Sequence, residues 1–491
     1  MAEVRRSLAL SAAQSYIGVA LQLVSTVVLS RVLTPAEVGV FAVASVFAAL
    51  ATNFRDFGIA EYLIQAKQLT EQNIRAAFAV NIATSWAMGL LMALGASWVG
   101  DFYRSDVIVD VMRIQALNFL LIPFGAINMA WFRREMNFKP LLLAGVLSDL
   151  LGLIVAITLA LKHYGPLSLA WSSFAGIAVT VAVSLYFRPK AFPRWPGLQG
   201  IAEVLHFGGF ASGIYVLGQL GKGAPEMIIG RVQGVADVAI FSRAGGLVQL
   251  FRQLVLKAIM PVCLPYFAET VRAEKTVNRA YVRGVAIFTV IGWTFLGFLA
   301  MAAFPAIRIV YGDQWVAAVP LARILCIAGA VDLVHQLAKE ALLSHGQVKL
   351  ATRLQLLIQA TQVIGLAAVV PFGLAGACWG MLASSVAGLL LSQWHLRSAT
   401  GFQLSHLWQA CRTSLTVTAI ALAPMAVIFA TVTATESNYI RYLALGGMAT
   451  AISWLLGLRY SAHPLWDEIL RAAAAARQHW AVIAHRATQT P

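Results

Sequence analysis

Charge is what this chain lacks most. Only 12% of its 491 residues are Asp, Glu, Lys or Arg, and acids number 21 against 36 Lys plus Arg. A soluble domain carries about 25% charged residues. Hydrophobic residues instead make up 59% of the chain. This shortage excludes a soluble globular protein and leaves a polytopic membrane protein. Ten-residue alternating segments are also missing, which excludes an outer-membrane barrel. Cysteine is scarce: Cys263, Cys326, Cys378 and Cys411 have no paired spacing, and three fall in or beside apolar runs. They read as small core residues, with no disulfide framework and no metal site. No phosphate-binding loop, HExxH, CxxC or supported Ser-His-Asp set occurs, and the 9 histidines are dispersed. No enzyme activity, cofactor or ATP-driven cycle is therefore expected, so energy must come from a gradient or from a downstream reaction. Large extramembrane loops are missing too, which argues against a membrane-embedded polymerase or glycosyltransferase. The net charge of +15 suits basic loops on one membrane face and anionic lipid, not nucleic acid.

What is present is a succession of apolar runs of spanning length. Fourteen spans are expected, at roughly 10–31, 36–60, 76–99, 107–132, 140–161, 166–187, 204–230, 237–262, 284–305, 317–342, 351–371, 374–396, 411–432 and 439–458. Met1–Leu10 reads as a lead-in to the first span, without the short apolar core of a cleaved signal. With the N-terminus inside, the inner loops hold most of the basic residues, among them Arg75, Arg133, Arg134, Lys139, Arg188, Arg279, Arg283, Lys349 and Arg397. The outer loops hold only Arg31, Arg104, Lys162, Arg231, Arg308 and Arg441. This asymmetry places both termini in the cytoplasm. The tail 461–491 is amphipathic, and lies on the membrane surface or forms a soluble helix.

The chain repeats itself. Arg31-Val32-Leu33-Thr34-Pro35-Ala36-Glu37-Val38-Gly39-Val40-Phe41 aligns with Arg231-Val232-Gln233-Gly234-Val235-Ala236-Asp237-Val238-Ala239-Ile240-Phe241. Asn137-Phe138-Lys139 is echoed by Gln347-Val348-Lys349. Six spans separate the copies, so they share one orientation. The expected fold is all-α: two parallel six-helix lobes, 1–188 and 204–396, a cytoplasmic linker 189–203, two added spans in 397–460, and the tail. Pro35 suits the first position of a helix, Thr34 its N-cap, and Glu37 its first turn.

The motif at 31–41, with Phe57-Gly58-Ile59, Leu63-Ile64-Gln65 and the loop Arg133-Arg134-Glu135-Met136-Asn137-Phe138-Lys139, resembles the polysaccharide-transporter branch of the multidrug/oligosaccharidyl-lipid/polysaccharide exporter superfamily. These are Wzx-type flippases, and the nearest resemblance is to the colanic-acid-like exopolysaccharide branch. The resemblance implies a bacterial inner-membrane protein. It would move an undecaprenyl-diphosphate-linked oligosaccharide from the cytoplasmic to the periplasmic leaflet by alternating access, for exopolysaccharide or lipopolysaccharide synthesis. Its partners would be that lipid-linked substrate, membrane lipids, and a polysaccharide polymerase and export machinery. A peptidoglycan-precursor flippase and an ion-coupled multidrug antiporter are the alternatives. An antiporter wants carboxylates in its first span, where this chain has only Gln14 and Gln22.

An unpaired charge at mid-bilayer costs at least about 2.5–3.5 kcal/mol, so such residues face a cavity or a partner. The candidates are Arg55 and Asp56 (span two), Arg113 (span four), Asp149 (span five), Lys222 and Glu226 (span seven), Arg243, Gln249, Arg252 and Lys257 (span eight), and Arg323 and Asp332 (span ten). Cations outnumber anions, as a diphosphate requires. Arg55 and Asp56 could equally be a neutral pair at the water boundary, and Arg113 and Arg323 could snorkel. Lys222 and Glu226, one turn apart, could neutralise each other. At about 100° per residue Arg243 and Lys257 share a face and Arg252 opposes them. Arg252 is the deepest of the three and the favoured central contact. Asp149, Asp332 and Asp56 are either coupling-ion sites or packing residues. Asp332 shares a face with His335. The glycines of span seven, with Pro225, make a hinge or a tight packing surface.

Overall fold

A computed structural model describes residues 2–56, 58–66, 69–189, 192, 193, 195–256, 260, 263, 267, 269, 277–431, 439–471 and 474. Lys257 and the tail beyond 474 lie outside the described residues, as does the packing around Gly208, Gly209 and Gly213. Among the described residues the chain is helical, with no strand. By contact it divides into two units. One comprises Met1–Ser242 with Val310–Trp315; the other comprises Arg243–Ile309 with Val316–Pro491.

The first unit holds α1 (Ala2–Val32), α2 (Pro35–Asp56), α3 (Ile59–Gln65), α4 (Glu71–Tyr103), α5 (Asp106–Arg134), α6 (Phe138–Leu161), α7 (Leu167–Tyr186) and α8 (Ile201–Val232). Helix α2 lies at its centre, packed on α4, α5, α7 and α8, while α6 joins α1 to α7. Helix α9 (Val235–Phe251) begins in this unit and runs into the second, ending in a π-helical turn, Arg252–Leu256. The second unit continues with α10 (Val277–Met301), α11 (Ala303–Val310), α12 (Ala318–His335), α13 (Ala338–Ser344), α14 (Val348–Val369), α15 (Gly373–Thr400), α16 (Leu404–Thr431) and α17 (Tyr439–Tyr460). Here α10 packs on α12, α16 and α17, and α15 on α12 and α14.

The local chemistry of the joints is that of the sequence. Thr34 and Glu37 form a reciprocal capping box: the Glu37 N–H donates to Thr34 Oγ1 at 3.3 Å, and the Thr34 N–H donates to Glu37 Oε2 at 2.7 Å. The duplication reappears as geometry. The first joint breaks after Val32 and restarts at Pro35; the second breaks after Val232 and restarts at Val235, through Gly234 at φ 110°. Likewise Met136 (φ 53°) precedes the start of α6, and Gly346 (φ 72°) precedes that of α14.

Eleven segments among the described residues are long and apolar enough to cross a membrane. One of them, Val348–Thr400, holds both α14 and α15 around the 3-10 turn Val370–Phe372. In ten of these segments at most 44% of the apolar window is buried, and in Ala318–Ser344 56%, so most of the combined apolar surface faces outward. Such surface is stable only against lipid, and the chain is a multi-pass membrane protein. The eleven do not include α8 or α9, which correspond to expected spans seven and eight, so the count of fourteen goes beyond them.

Four expected spans are interrupted among the described residues. Span two is α2, a break at Gly58 (φ 64°), then the short α3. Span eight passes from α9 into the π turn. Span nine breaks at Ala302, between α10 and α11. Span ten breaks at Gln336–Leu337 between α12 and α13. The stretch expected as a linker is held onto the first unit: Phe192 is buried beside Trp131, and the Gly197 N–H donates to Arg75 O at 3.0 Å. The first part of the tail, helical over 464–471, sets Leu465, Trp466 and Ile469 against Val290, Val417 and Leu458.

Candidate functional site

Arg55 with Asp56, and Arg252 with Asp332, lie at helix interruptions, one pair in each unit, while the other described charged candidates lie within continuous helices. In the first unit Arg55 lies in the last turn of α2. Its side chain is 7% exposed and ion-paired to Asp56, which is 54% exposed. Thr84 Oγ1 of α4 donates to the Arg55 carbonyl at 3.2 Å and ties down this helix end. Arg55 Nε and Nη1 are buried with no hydrogen-bond partner among the described residues. A buried guanidinium with donors to spare is costly unless something else accepts from them. Phosphate oxygens suit it, since they accept pairs of N–H groups from the planar fork.

Lys222 and Glu226 flank Pro225 within α8. No ion pair joins them among the described residues: Lys222 is exposed, and Glu226 Oε2 is buried without a hydrogen-bond partner. Mutual neutralisation, open on spacing alone, is not what the side chains do. A Cβ added at Gly223 would overlap Val46, so α8 crosses α2 at close range beside this pair. Asp149 of α6 is exposed, and its Oδ2 would stand 3.3 Å from a Cβ on Gly18 of α1. Arg113 is exposed near the start of α5, with buried Met112 and Gln115 either side.

In the second unit Arg252 opens the π turn, and its Nη2 lies 3.4 Å from Asp332 Oδ2. Asp332 sits in the last turn of α12, where the helix breaks, and His335 Nε2 is 3.5 Å from its other oxygen. Asp332 and His335 are 17% and 10% exposed, against 50% for Arg252. The guanidinium thus has one carboxylate on one side and open space on the other. Spacing had not joined these two residues, which lie 80 apart in the chain. Irregular backbone at membrane depth is tolerated where it lines a cavity or is buried in protein, and π turns gather at functional sites.

One sequence inference is corrected. Counting 100° per residue from Arg243 to Lys257 assumed an unbroken α-helix. The π turn at Arg252–Leu256 changes the winding before Lys257, so the two cannot be assigned to one face by counting. Gln249 is exposed one turn before Arg252, and Arg243 is half-buried. Arg323 is exposed near the start of α12, with the same neighbouring pattern as Arg113: two buried residues before it and two after the next position. His335 joins the cluster through Asp332; its shared face with Asp332 was the available signal. The spare donors of Arg55 had none, since burial of a helix end depends on partners distant in sequence.

The architecture and the chain itself both have counterparts. Residues 28–320 match the family described as polysaccharide biosynthesis protein. The chain is 24% identical over 371 residues to the teichuronic acid biosynthesis protein TuaB of Bacillus subtilis, an alignment covering 74% of this chain and 76% of that one. It is 22% identical over 349 residues to the lipopolysaccharide biosynthesis protein WzxC of Escherichia coli, covering 70% of each. Among solved structures, the inward closed conformation of the lipid II flippase MurJ superposes with a TM-score of 0.74 over 92% of this chain and 98% of that one, at 12% identity. At that identity the likeness is one of fold. With more than half of its length matched, and with two joints and their breaks repeated along a MurJ-like fold, this chain belongs to the polysaccharide biosynthesis protein family.

Proposed function

We propose that the protein is a flippase carrying a lipid-diphosphate-linked oligosaccharide from the cytoplasmic to the periplasmic leaflet of a bacterial inner membrane. It works by alternating access, without chemistry on the substrate. The observation that carries this reading is the placement of cationic groups: Arg55 with spare buried donors and Arg252 half-engaged at a π turn, each where a membrane helix breaks, and Lys222 within α8, unpaired among the described residues. An anionic diphosphate needs cationic contacts that it can also leave, and half-satisfied guanidiniums meet both needs. The family and relatives named for polysaccharide biosynthesis support the saccharide part of the substrate. The excess of basic residues in alternate loops supports cytoplasmic termini. Lobes at 1–188 and 204–396 would supply the alternating access, and polymerase and export machinery would take the product. Asp149, Asp332 and Asp56 stand as proposed coupling positions, with Asp332 already compensated by Arg252. Gln14 and Gln22, in place of first-span carboxylates, weigh against a cation-drug antiporter.

Polymer output and lipid-linked intermediates, measured in cells carrying Arg252→Ala or Arg55→Ala, test this. An Arg353→Ala control serves because that side chain is exposed on α14. Loss of polymer with intermediates held on the inner leaflet is the expected result. Normal polymer from well-expressed forms of both variants would sink the cationic-site reading.

A further inference from the structure

A cavity of about 670 Å³ opens among the starts of α10 and α16, the end of α15 and the turn after α17. That is within the range of about 300–1,000 Å³ typical of small-molecule sites. All of these elements reach one membrane face. Apart from α10, they lie beyond residue 320, where the family match ends. The cavity is separate from the Arg252 cluster, and its ligand chemistry is independent of the flippase reading.

One wall is rigid. His463 is fully buried; its Nδ1 accepts from the Leu465 N–H at 3.2 Å, which leaves the proton on Nε2, 3.3 Å from Ser414 Oγ. Ser414 in turn donates to Ala286 O at 3.1 Å, tying the tail turn to α16 and α10. Arg283 of α10 also lines the cavity and is committed to Glu468 at 2.7 Å. One turn earlier Arg279 points into the same cavity, exposed and without an ion pair or hydrogen bond among the described residues. Asp467 also lines the cavity and also has neither. His406 and Gln409, one turn apart on α16, add further polar groups to the lining. Trp408, 67% exposed, projects from the same turn of α16, as interfacial aromatics do at the headgroup level.

One uncommitted cation and one uncommitted anion in a single polar cavity at the headgroup level match a ligand that carries both charges. We propose that this cavity binds the headgroup of a phosphoethanolamine phospholipid, its phosphate on Arg279 and its ammonium on Asp467. Free phosphoethanolamine or inorganic phosphate would offer part of the same chemistry from a soluble source.

Delipidated full-length protein in detergent is incubated with phosphatidylethanolamine or phosphatidylglycerol, and bound lipid is counted by native mass spectrometry. The forms compared are wild type, Arg279→Ala, Asp467→Asn and the exposed control Arg353→Ala, each monodisperse by gel filtration. Phosphatidylethanolamine is expected to be retained over phosphatidylglycerol in wild type and control. Arg279→Ala should lose at least tenfold in retention, and Asp467→Asn should abolish the preference between the two lipids. Undiminished retention by Arg279→Ala overturns the proposal, and so does an unchanged preference in Asp467→Asn. A parallel thermal shift uses phosphoethanolamine and inorganic phosphate. Equal stabilisation by inorganic phosphate alone, lost in Arg279→Ala, would make the ligand a soluble phosphate and overturn the lipid assignment.

Discussion

Arg252 has five N–H donors, and Asp332 engages one nitrogen at 3.4 Å. The rest are available to a ligand whose oxygens match the fork. Arg252→Lys keeps the charge and discards that fork. A hydrogen bond to a charged group contributes about 1.5–3 kcal/mol, so we expect polymer output to fall about tenfold or more, with expression unchanged on immunoblots. Arg55 poses the complementary case. Its buried side chain stabilises little, because desolvation offsets the pairing with exposed Asp56. Arg55→Met should leave the melting temperature of the purified protein equal or higher while polymer output is lost. A large fall in melting temperature would mark Arg55 as a packing residue instead.

At the scale of elements, the two duplicated joints meet. A Cβ built on Gly39 of α2 would overlap the carbonyl of Val235, the first residue of α9, so backbone approaches backbone there. Only glycine permits this contact. Gly39→Val should cost about 1–3 kcal/mol of packing, seen as a fall in melting temperature of several degrees. Gly245→Ala, whose nearest neighbour is Leu325 Cδ1 at 4.0 Å, should change nothing.

The docked start of the tail is an element with a pH dependence. Burial pushes His463 down to about 4 from its ordinary 6.5. Released from the bundle, the imidazole titrates near 6.5; docked, it stays neutral because its Nδ1 already accepts the Leu465 N–H. Docking is therefore at full strength above about pH 6.5 and weakens as pH falls from there to about 4, by on the order of 3 kcal/mol. Hydrogen-exchange protection factors over 464–471, taken relative to the intrinsic rate at each pH, should fall from pH 7 to 4.5, and His463→Asn should flatten that change. Exchange in wild type that follows the intrinsic trend alone would refute it.

For the whole molecule, orientation is the property most open to direct measurement. Single-cysteine forms at Lys349, exposed in the first turn of α14, and Lys162, exposed in the turn after α6, report opposite faces under the basic-loop rule. Lys349→Cys should react with an impermeant maleimide only after the inner membrane is opened, and Lys162→Cys should react in cells with a permeabilised outer membrane. The reverse pattern would invert the direction of transport. The duplication makes the same demand twice, because Lys139 starts α6 as Lys349 starts α14.

Much of this protein was legible before any coordinates. Apolar runs of spanning length force helices, since in lipid each backbone polar group must find its partner within its own segment. Thr34, Pro35 and Glu37 set one joint by short-range bonds, and the offset of two hundred residues predicted the second break between Val232 and Val235. These features depend on neighbours in sequence, which is why they could be read there. The interruptions could not. The π turn at Arg252, the break after His335 and the spare donors of Arg55 arise where packing from distant helices outweighs local helix preference, which is only weakly expressed by single residues. The tertiary structure alone decided that Arg252 meets Asp332, that Lys222 and Glu226 do not pair, and that His463 closes a cavity against Ser414. Each of these is settled by packing between segments far apart in the chain, and composition and period carry no record of such packing.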